Sequence, residues 1–207
     1  VAVEVAMKMA VQYWINSGVV GKSQFVAFKA GYHGDTTGAM AVSDSEANMH
    51  TVFADVLQKY RVVDLPEDAA TTSALEELLA KQSEAVAGII VEPLVQGAGG
   101  MKFHDASVLR RLRALADRYD TLLIFDEIFT GFGRTGSLFA CDQAVVAPDI
   151  ITLSKALTGG ALPLAAQQVK LGLPASADGG FSDTLCHEPA TWRYQDWTPP
   201  GGGADDG

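Results

Sequence analysis

The chain is poor in cysteine and in basic residues. Cys141 and Cys186 are the two cysteines among 207 residues, and they lie far apart without the paired spacing of a metal site or a disulfide framework. Lys and Arg number 15 against 25 Asp and Glu, which gives a net charge of −10 and leaves no basic stripe. We therefore expect no metal site and no nucleic-acid partner.

Long hydrophobic runs are also missing. No apolar segment approaches the roughly 20 residues that a membrane-spanning helix needs, and no signal-peptide pattern is recognisable. We therefore expect no membrane partner and a location in the reducing cytoplasm. The 48% hydrophobic content is that of an ordinary globular protein.

Helical and strand-like patterns alternate along most of the chain. Apolar runs without polar alternation predict strands that are covered on both faces, as in a parallel sheet. The sequence therefore predicts an α/β fold, with a mostly parallel sheet and helices on both faces. The predicted helices are 1–14, 74–81 and 106–118, and the predicted strands are 24–28, 87–91, 121–125 and 149–153.

Two functional side chains follow two of these strands. Asp126 comes directly after strand 121–125, and Lys155 comes shortly after strand 149–153. A lysine amine can bond covalently to the aldehyde of pyridoxal phosphate, while a carboxylate can pair with the pyridine nitrogen and keep it protonated. Because ligands of parallel sheets gather at the carboxyl ends of the strands, the two residues predict a pyridoxal-phosphate site.

Four segments, in this order and spacing, resemble the class III pyridoxal-phosphate aminotransferases. They are 31–40 (GYHGDTTGAM), 92–101 (EPLVQGAGGM), 126–136 (DEIFTGFGRTG) and 154–160 (SKALTGG). The resemblance implies the large domain of a fold-type I pyridoxal-phosphate transferase. Within the class, the segments look most like the biotin-biosynthesis branch. That branch implies transfer of an amino group from S-adenosylmethionine to 8-amino-7-oxononanoate, and a homodimer.

The resemblance also implies roles for individual residues. Lys155 is expected to hold the cofactor, meet the substrate and move protons as a general acid and base. Tyr32 is expected to lie against the cofactor ring and meet the substrate with its phenol. His33 and Glu92 are expected at the cofactor and Asp35 at the substrate, with a structural role for His33 as an open alternative.

The resemblance runs over residues 1–166, predicted as the central part of the pyridoxal-phosphate domain. Residues 167–207 are rich in Gly, Pro and Asp, and we expect this tail to be disordered or to arise from a frameshift near residue 167. Family members are considerably longer, so the sequence predicts a domain truncated at both ends. A non-catalytic piece of the enzyme is therefore an alternative, as is another omega-amine aminotransferase of the same class.

A more remote alternative is a P-loop nucleotide hydrolase. Segment 18–23 (GVVGKS) ends like a phosphate-binding loop, and segment 122–127 (LLIFDE) resembles the acidic strand of such enzymes. The full motif needs glycine where Asn16 stands, and it needs a strand where the preceding pattern is helical. Both departures count against nucleotide hydrolysis.

Overall fold

A computed structural model describes residues 1–44 and 49–169. The α-helices are α1 (Ala2–Asn16), α2 (Thr37–Ala41), α3 (Ala69–Gln82), α4 (Ala106–Arg118) and α5 (Ala140–Ala144). The strands are β1 (Gln24–Phe28), β2 (Arg61–Val63), β3 (Val86–Val91), β4 (Val95–Gln96), β5 (Lys102–Phe103), β6 (Leu122–Asp126), β7 (Ile150–Leu153) and β8 (Ala166–Val169). Short 3-10 helices lie at Met49–Phe53 and Lys155–Thr158.

Six strands form one sheet in the order β2-β1-β3-β6-β7-β8. All neighbours are parallel except β8, which runs antiparallel to β7. Strands β4 and β5 form a separate antiparallel pair. Asp126, the last residue of β6, lies in register with Thr152 near the end of β7. The loops after β1, β3, β6 and β7 therefore meet at one edge of the sheet, which we call the carboxyl edge.

Both faces of the central strands are buried, as the unbroken apolar runs predict. Every residue of β3 and β6 is buried. One face packs against α3 and α4, through residues such as Leu79 and Leu112. The other face packs against α1, through residues such as Ala6 and Trp14. The prediction of an α/β fold with helices on both faces is confirmed.

The helices differ in how their first amides are satisfied. Asp68 and Asp105 accept backbone N–H bonds at the starts of α3 and α4, at 2.8 Å and 2.7 Å. Helix α1 has no side-chain cap at its start, and the indole Nε1–H of Trp14 instead ties it to the sheet by donating to the Ala87 carbonyl at 2.9 Å. Among the described residues, no helix is long and apolar enough to cross a membrane.

Several boundaries differ from the prediction. Helix α3 begins five residues earlier than predicted because Asp68 caps it, and no strand was predicted where β8 lies. Strand β8 also crosses the predicted boundary at residue 166, because its four residues pair with β7. The rest of the predicted tail, from residue 170 onward, lies outside the described residues.

Candidate active site

Asp126 is the buried centre of the carboxyl edge. Its side chain is 4% exposed, and its Oδ2 lies 2.7 Å from Nδ1 of His33, whose side chain is 1% exposed. Its Oδ1 accepts the Thr152 hydroxyl at 3.0 Å and the backbone N–H of Ile128 at 3.2 Å. The carboxylate is thus held by the loop after β1, by β7 and by its own turn. Its orientation is set before any ligand binds.

This arrangement fits a protonated pyridine ring. A carboxylate offers about four acceptor positions, and three donors contact Asp126 among the described residues. One position on Oδ2 remains beside His33, and a buried carboxylate favours a cationic N–H donor there. The residues present therefore suit the nitrogen of pyridoxal phosphate. His33 contacts this carboxylate, so the structure shows it as the partner of Asp126.

Lys155 lies two residues beyond β7, at the start of the 3-10 helix Lys155–Thr158. It is exposed, and its ammonium lies 5.4 Å from the ring centre of Phe129. Among the described residues, this ammonium forms no ion pair with a carboxylate. Lys155 and Asp126 therefore follow neighbouring parallel strands, as the sequence predicts, and the lysine is accessible to a small molecule.

Tyr32 and Asp35 lie in the loop that follows β1. The Tyr32 hydroxyl donates to Oδ1 of Asp35 at 2.9 Å, and the Tyr32 ring stacks on His50 with ring centres 5.6 Å apart. Burial, followed by the bond to Asp35, raises the pKa of Tyr32 above its ordinary value. The bonds from His50 and then Tyr32 lower the pKa of Asp35. His50, which the sequence gave no functional role, is therefore part of this group.

Glu92 connects two loops of the carboxyl edge. Its Oε1 accepts the backbone N–H of Tyr32 and its Oε2 that of Gly97, each at 2.9 Å, and the residue is 5% exposed. Burial raises the pKa of this carboxyl despite the opposing effect of His33. The structure thus gives Glu92 a bracing role, and the predicted contact with the cofactor stays a prediction.

Glu127 has a structural role that the sequence did not reveal. It is 1% exposed, and its carboxylate accepts the Thr130 hydroxyl and the backbone N–H groups of Ala140 and Cys141, each at 2.9 Å. Burial raises the pKa of both Glu127 and the neighbouring Cys141 thiol. Glu127 therefore anchors the start of α5 to the end of β6. The sequence shows that Asp126 and Glu127 are adjacent. It does not show that Asp126 bonds to the β1 loop and β7 while Glu127 bonds to α5.

A cleft of about 530 Å³ lies beside the carboxyl edge. Phe129 and Arg134 line it together with the β4–β5 pair, and neither Asp126 nor Lys155 does. Phe129 lies between the cleft and Lys155. Its ring centre is 4.8 Å from the guanidinium of Arg134, which lines the cleft, and 5.4 Å from the Lys155 ammonium. Within the described ranges, no group of three or more His, Cys, Asp or Glu residues is placed to hold a metal ion.

The phosphate-loop alternative is wrong for this structure. Segment 18–23 follows helix α1 rather than a strand and precedes β1, so it lies at the opposite edge of the sheet from Asp126. Lys22 is 5% exposed, donates to the Asp120 carbonyl and lies 4.0 Å from the Trp14 ring centre. Burial lowers the pKa of this amine. A lysine in that position fastens α1 to the sheet and is not free to bind a nucleotide.

The chain is similar in sequence to proteins of a known family. A family model for class-III aminotransferases matches residues 1–182, beyond residue 166, where the motif resemblance ends. The adenosylmethionine-8-amino-7-oxononanoate aminotransferase of Mycobacterium leprae (strain TN) is 45% identical over 194 residues, which are 91% of this chain and 44% of that protein.

The fold is also similar to solved structures of aminotransferases. The crystal structure of the adenosylmethionine-8-amino-7-oxononanoate aminotransferase from Methanocaldococcus jannaschii DSM 2661 is 40% identical, with a TM-score of 0.75 over 81% of this chain and 39% of its own. An amine transaminase from an uncultivated Pseudomonas species, solved in its PLP-bound form, is 35% identical, with a TM-score of 0.73 over 90% of this chain and 45% of its own. The present chain thus spans less than half the length of these relatives.

Proposed function

The chain belongs to the class-III aminotransferases, and we propose that it is the part of such an enzyme that holds pyridoxal phosphate, with Lys155 as the covalent attachment point. The predicted fold-type I architecture is confirmed by the match to solved chains of this class. The lineage is that of a pyridoxal-phosphate-dependent aminotransferase. We further propose that the whole protein works in the cytoplasm as a homodimer.

One observation carries this proposal: the buried pair of His33 and Asp126 at the edge where Lys155 is accessible. Burying a carboxylate is costly unless donors surround it, and three described donors do so here. A carboxylate fixed in this way, with an acceptor position left over, suits a cationic ring nitrogen. A purely structural aspartate would have no need of an accessible lysine after the neighbouring strand.

The chain's own residues would divide the work. Pyridoxal phosphate supplies an electron sink when bound. Asp126 would hold the ring nitrogen protonated through its free acceptor position, and His33 fixes the direction of that carboxylate. The Lys155 amine takes up and returns a proton at Nζ, since no carboxylate of the described residues engages it. The Tyr32 hydroxyl, already donating to Asp35, keeps its lone pairs to accept an N–H from an amine substrate.

Covalent trapping tests the attachment point. The purified chain is incubated with pyridoxal phosphate and reduced with borohydride, and the labelled peptide is mapped by mass spectrometry. We expect Lys155 to be labelled ahead of the other lysines, and labelling to be lost in Lys155→Ala and strongly reduced in Asp126→Asn. Lys29→Ala is the matched control, because that lysine is also exposed and lies at the end of β1 in an ion pair with Asp64.

The outcomes are distinct. Scattered labelling over many lysines, or equal labelling of Lys155 in Asp126→Asn, would contradict the proposed site. Absent labelling in a folded chain would favour the alternative of a non-catalytic piece. Folding is checked in parallel by circular dichroism, so that an unfolded variant is not mistaken for an inactive one.

For the whole protein, we propose S-adenosylmethionine as amino donor and 8-amino-7-oxononanoate as acceptor. The support is the 39–45% identity to relatives named for that reaction, against 28% and 35% for two other transaminases of known structure. A donor panel on a chain of the relatives' full length tests this proposal. Transfer from simple amines but not from S-adenosylmethionine would favour an omega-amine aminotransferase, and analytical ultracentrifugation of the same chain tests the homodimer.

A further inference from the structure

His50 is a buried histidine on the 3-10 helix Met49–Phe53 and is 2% exposed. Its Nε2 lies 2.9 Å from Oδ1 of Asp35, whose side chain is 70% exposed. An aspartate that reaches into solvent samples several rotamers unless a fixed partner holds it. In this pair His50 is the fixed partner, because its side chain is buried.

The same oxygen of Asp35 accepts the Tyr32 hydroxyl at 2.9 Å. The Tyr32 ring also lies over the His50 imidazole, with ring centres 5.6 Å apart and planes inclined by 23°. His50 therefore restrains the Tyr32 side chain twice, once through Asp35 at the hydroxyl and once through ring stacking. The backbone N–H of Tyr32 is held separately by Glu92.

The hydrogen-bond partners define the tautomer of His50. A carboxylate oxygen is an acceptor, so Nε2 must carry the proton that it shares with Asp35. In the neutral ring Nδ1 is then an acceptor, and it is buried without a hydrogen-bond partner among the described residues. Burial of an unpaired polar atom costs free energy, and such costs are tolerated where a group serves a site.

We propose that His50 is a positioning residue that fixes the Tyr32 hydroxyl through Asp35. It touches neither Asp126 nor Lys155 and does not enter the chemistry itself. The value of the arrangement to transamination rests on the proposed function, because it matters only if Tyr32 faces the cofactor and its amine substrate. The mechanical link from His50 to Tyr32 is independent of that assumption and can be measured without cofactor.

Two variants of His50 separate the effect of its hydrogen bond to Asp35 from the effect of removing the imidazole ring. In His50→Gln the side-chain amide nitrogen occupies nearly the position of Nε2 and can still donate to Asp35. In His50→Asn the amide is too short to reach. Tyrosines are labelled with ¹³C at Cζ, the Tyr32 signal is identified with Tyr32→Phe, and its hydroxyl titration is followed by NMR. Val52→Ala, on the same 3-10 helix but 85% exposed, is the control for general loosening.

Burial and then the bond to Asp35 raise the pKa of the Tyr32 phenol. We expect its titration to move to lower pH in Asp35→Asn, which removes the carboxylate, and in His50→Asn, which frees that carboxylate to turn away from the hydroxyl. His50→Gln and Val52→Ala should leave it near the wild-type value. Adding His50→Asn to Asp35→Asn should produce less shift than His50→Asn does alone, because only the ring stacking is then left to lose. An unchanged titration in His50→Asn, or a full further shift in the double variant, would overturn the proposal.

A second measurement needs no substitution of His50. Side-chain ¹⁵N shifts of the wild-type chain should show His50 protonated at Nε2, with a resonance that moves in Asp35→Asn. Identical shifts in the two chains would also overturn the proposal. Borohydride labelling of Lys155 in the wild type reports separately on the proposed function, so a failure there leaves the His50 result intact.

Discussion

Substitution of Gly99 by alanine should disturb the candidate site from outside it. A Cβ built on Gly99 would lie 1.9 Å from the backbone oxygen of Ala30 and 2.9 Å from its Cβ. Ordinary contact begins near 3.4 Å, so the two loops would have to separate by about 1.5 Å. Ala30 cannot yield freely, because its own N–H donates to buried Asp44 at 2.7 Å.

The magnitude follows from what must move. Overpacking against side chains costs about 1–3 kcal/mol, and here the obstacle is backbone, so we expect about 3 kcal/mol or more for Gly99→Ala. Gly100 is the matched control in the same loop. Its added Cβ meets nothing within 4 Å, but its φ of +101° disfavours alanine by about 1–2 kcal/mol.

Urea unfolding of the wild type, Gly99→Ala and Gly100→Ala gives the loss in unfolding free energy that each substitution causes. The two substitutions should also differ at the site, because only the first pushes on the loop that leads to Tyr32 and His33. The Tyr32 Cζ resonance should therefore shift in Gly99→Ala and stay in place in Gly100→Ala. A Gly99→Ala chain that is as stable as Gly100→Ala, with an unmoved Tyr32 resonance, would refute the close approach of the two loops.

Three further predictions concern single side chains. Trp14→Phe removes the indole bond to the Ala87 carbonyl and should lower the free energy of unfolding by about 1–2 kcal/mol in urea titrations. Asp149→Ala leaves the buried backbone N–H of Leu123 without its 2.8 Å acceptor and the Arg113 guanidinium without its 2.8 Å partner, and the unpaired amide alone should cost about 1–3 kcal/mol in the same assay. Burial raises the pKa of Glu92, so its neutral form stabilises the fold fully below the ordinary value of 4.5, and this contribution is lost as pH rises through the folded pKa. The stability of Glu92→Gln relative to the wild type should therefore increase with pH above 4.5, and a pH-independent difference between the two unfolding curves would contradict this.

The four strands β1, β3, β6 and β7 and the long helices could be predicted because their burial gives apolar patterns in the sequence. The predicted bounds of β1 and α4 match the structure. An apolar run marks β1, and a helical amphipathic pattern that continues over 13 residues marks α4. Helix α2 and strand β8 have only five and four residues, too few for a period to show. Their positions depend on tertiary contacts, such as the carboxylate of Glu4, which accepts the Thr36 hydroxyl at 2.6 Å before α2.

The candidate site was predictable in its location but not in its internal bonds. Asp126 and Lys155 stand at strand ends in the sequence, and the parallel register places them at one edge. The pairing of His33 with Asp126 spans 93 residues and leaves no local trace. His50 lies in none of the four motif segments, and its partners Asp35 and Tyr32 belong to another loop. Bonds between loops depend on the fold, so a single sequence does not reveal them.

The antiparallel strand β8 has a consequence for how the lysine would respond to a ligand. Pairing of Leu153 with Ala166 closes loop 154–165, and Lys155 lies inside it. A ligand bonded to Lys155 that narrows the conformations of this loop lowers the entropy cost of keeping its ends together. By thermodynamic linkage, the free energy by which strand pairing favours ligand attachment equals the free energy by which the attached ligand stabilises the β7–β8 pairing. Attachment at Lys155 should thus slow amide hydrogen exchange in β8, at the far side of the loop.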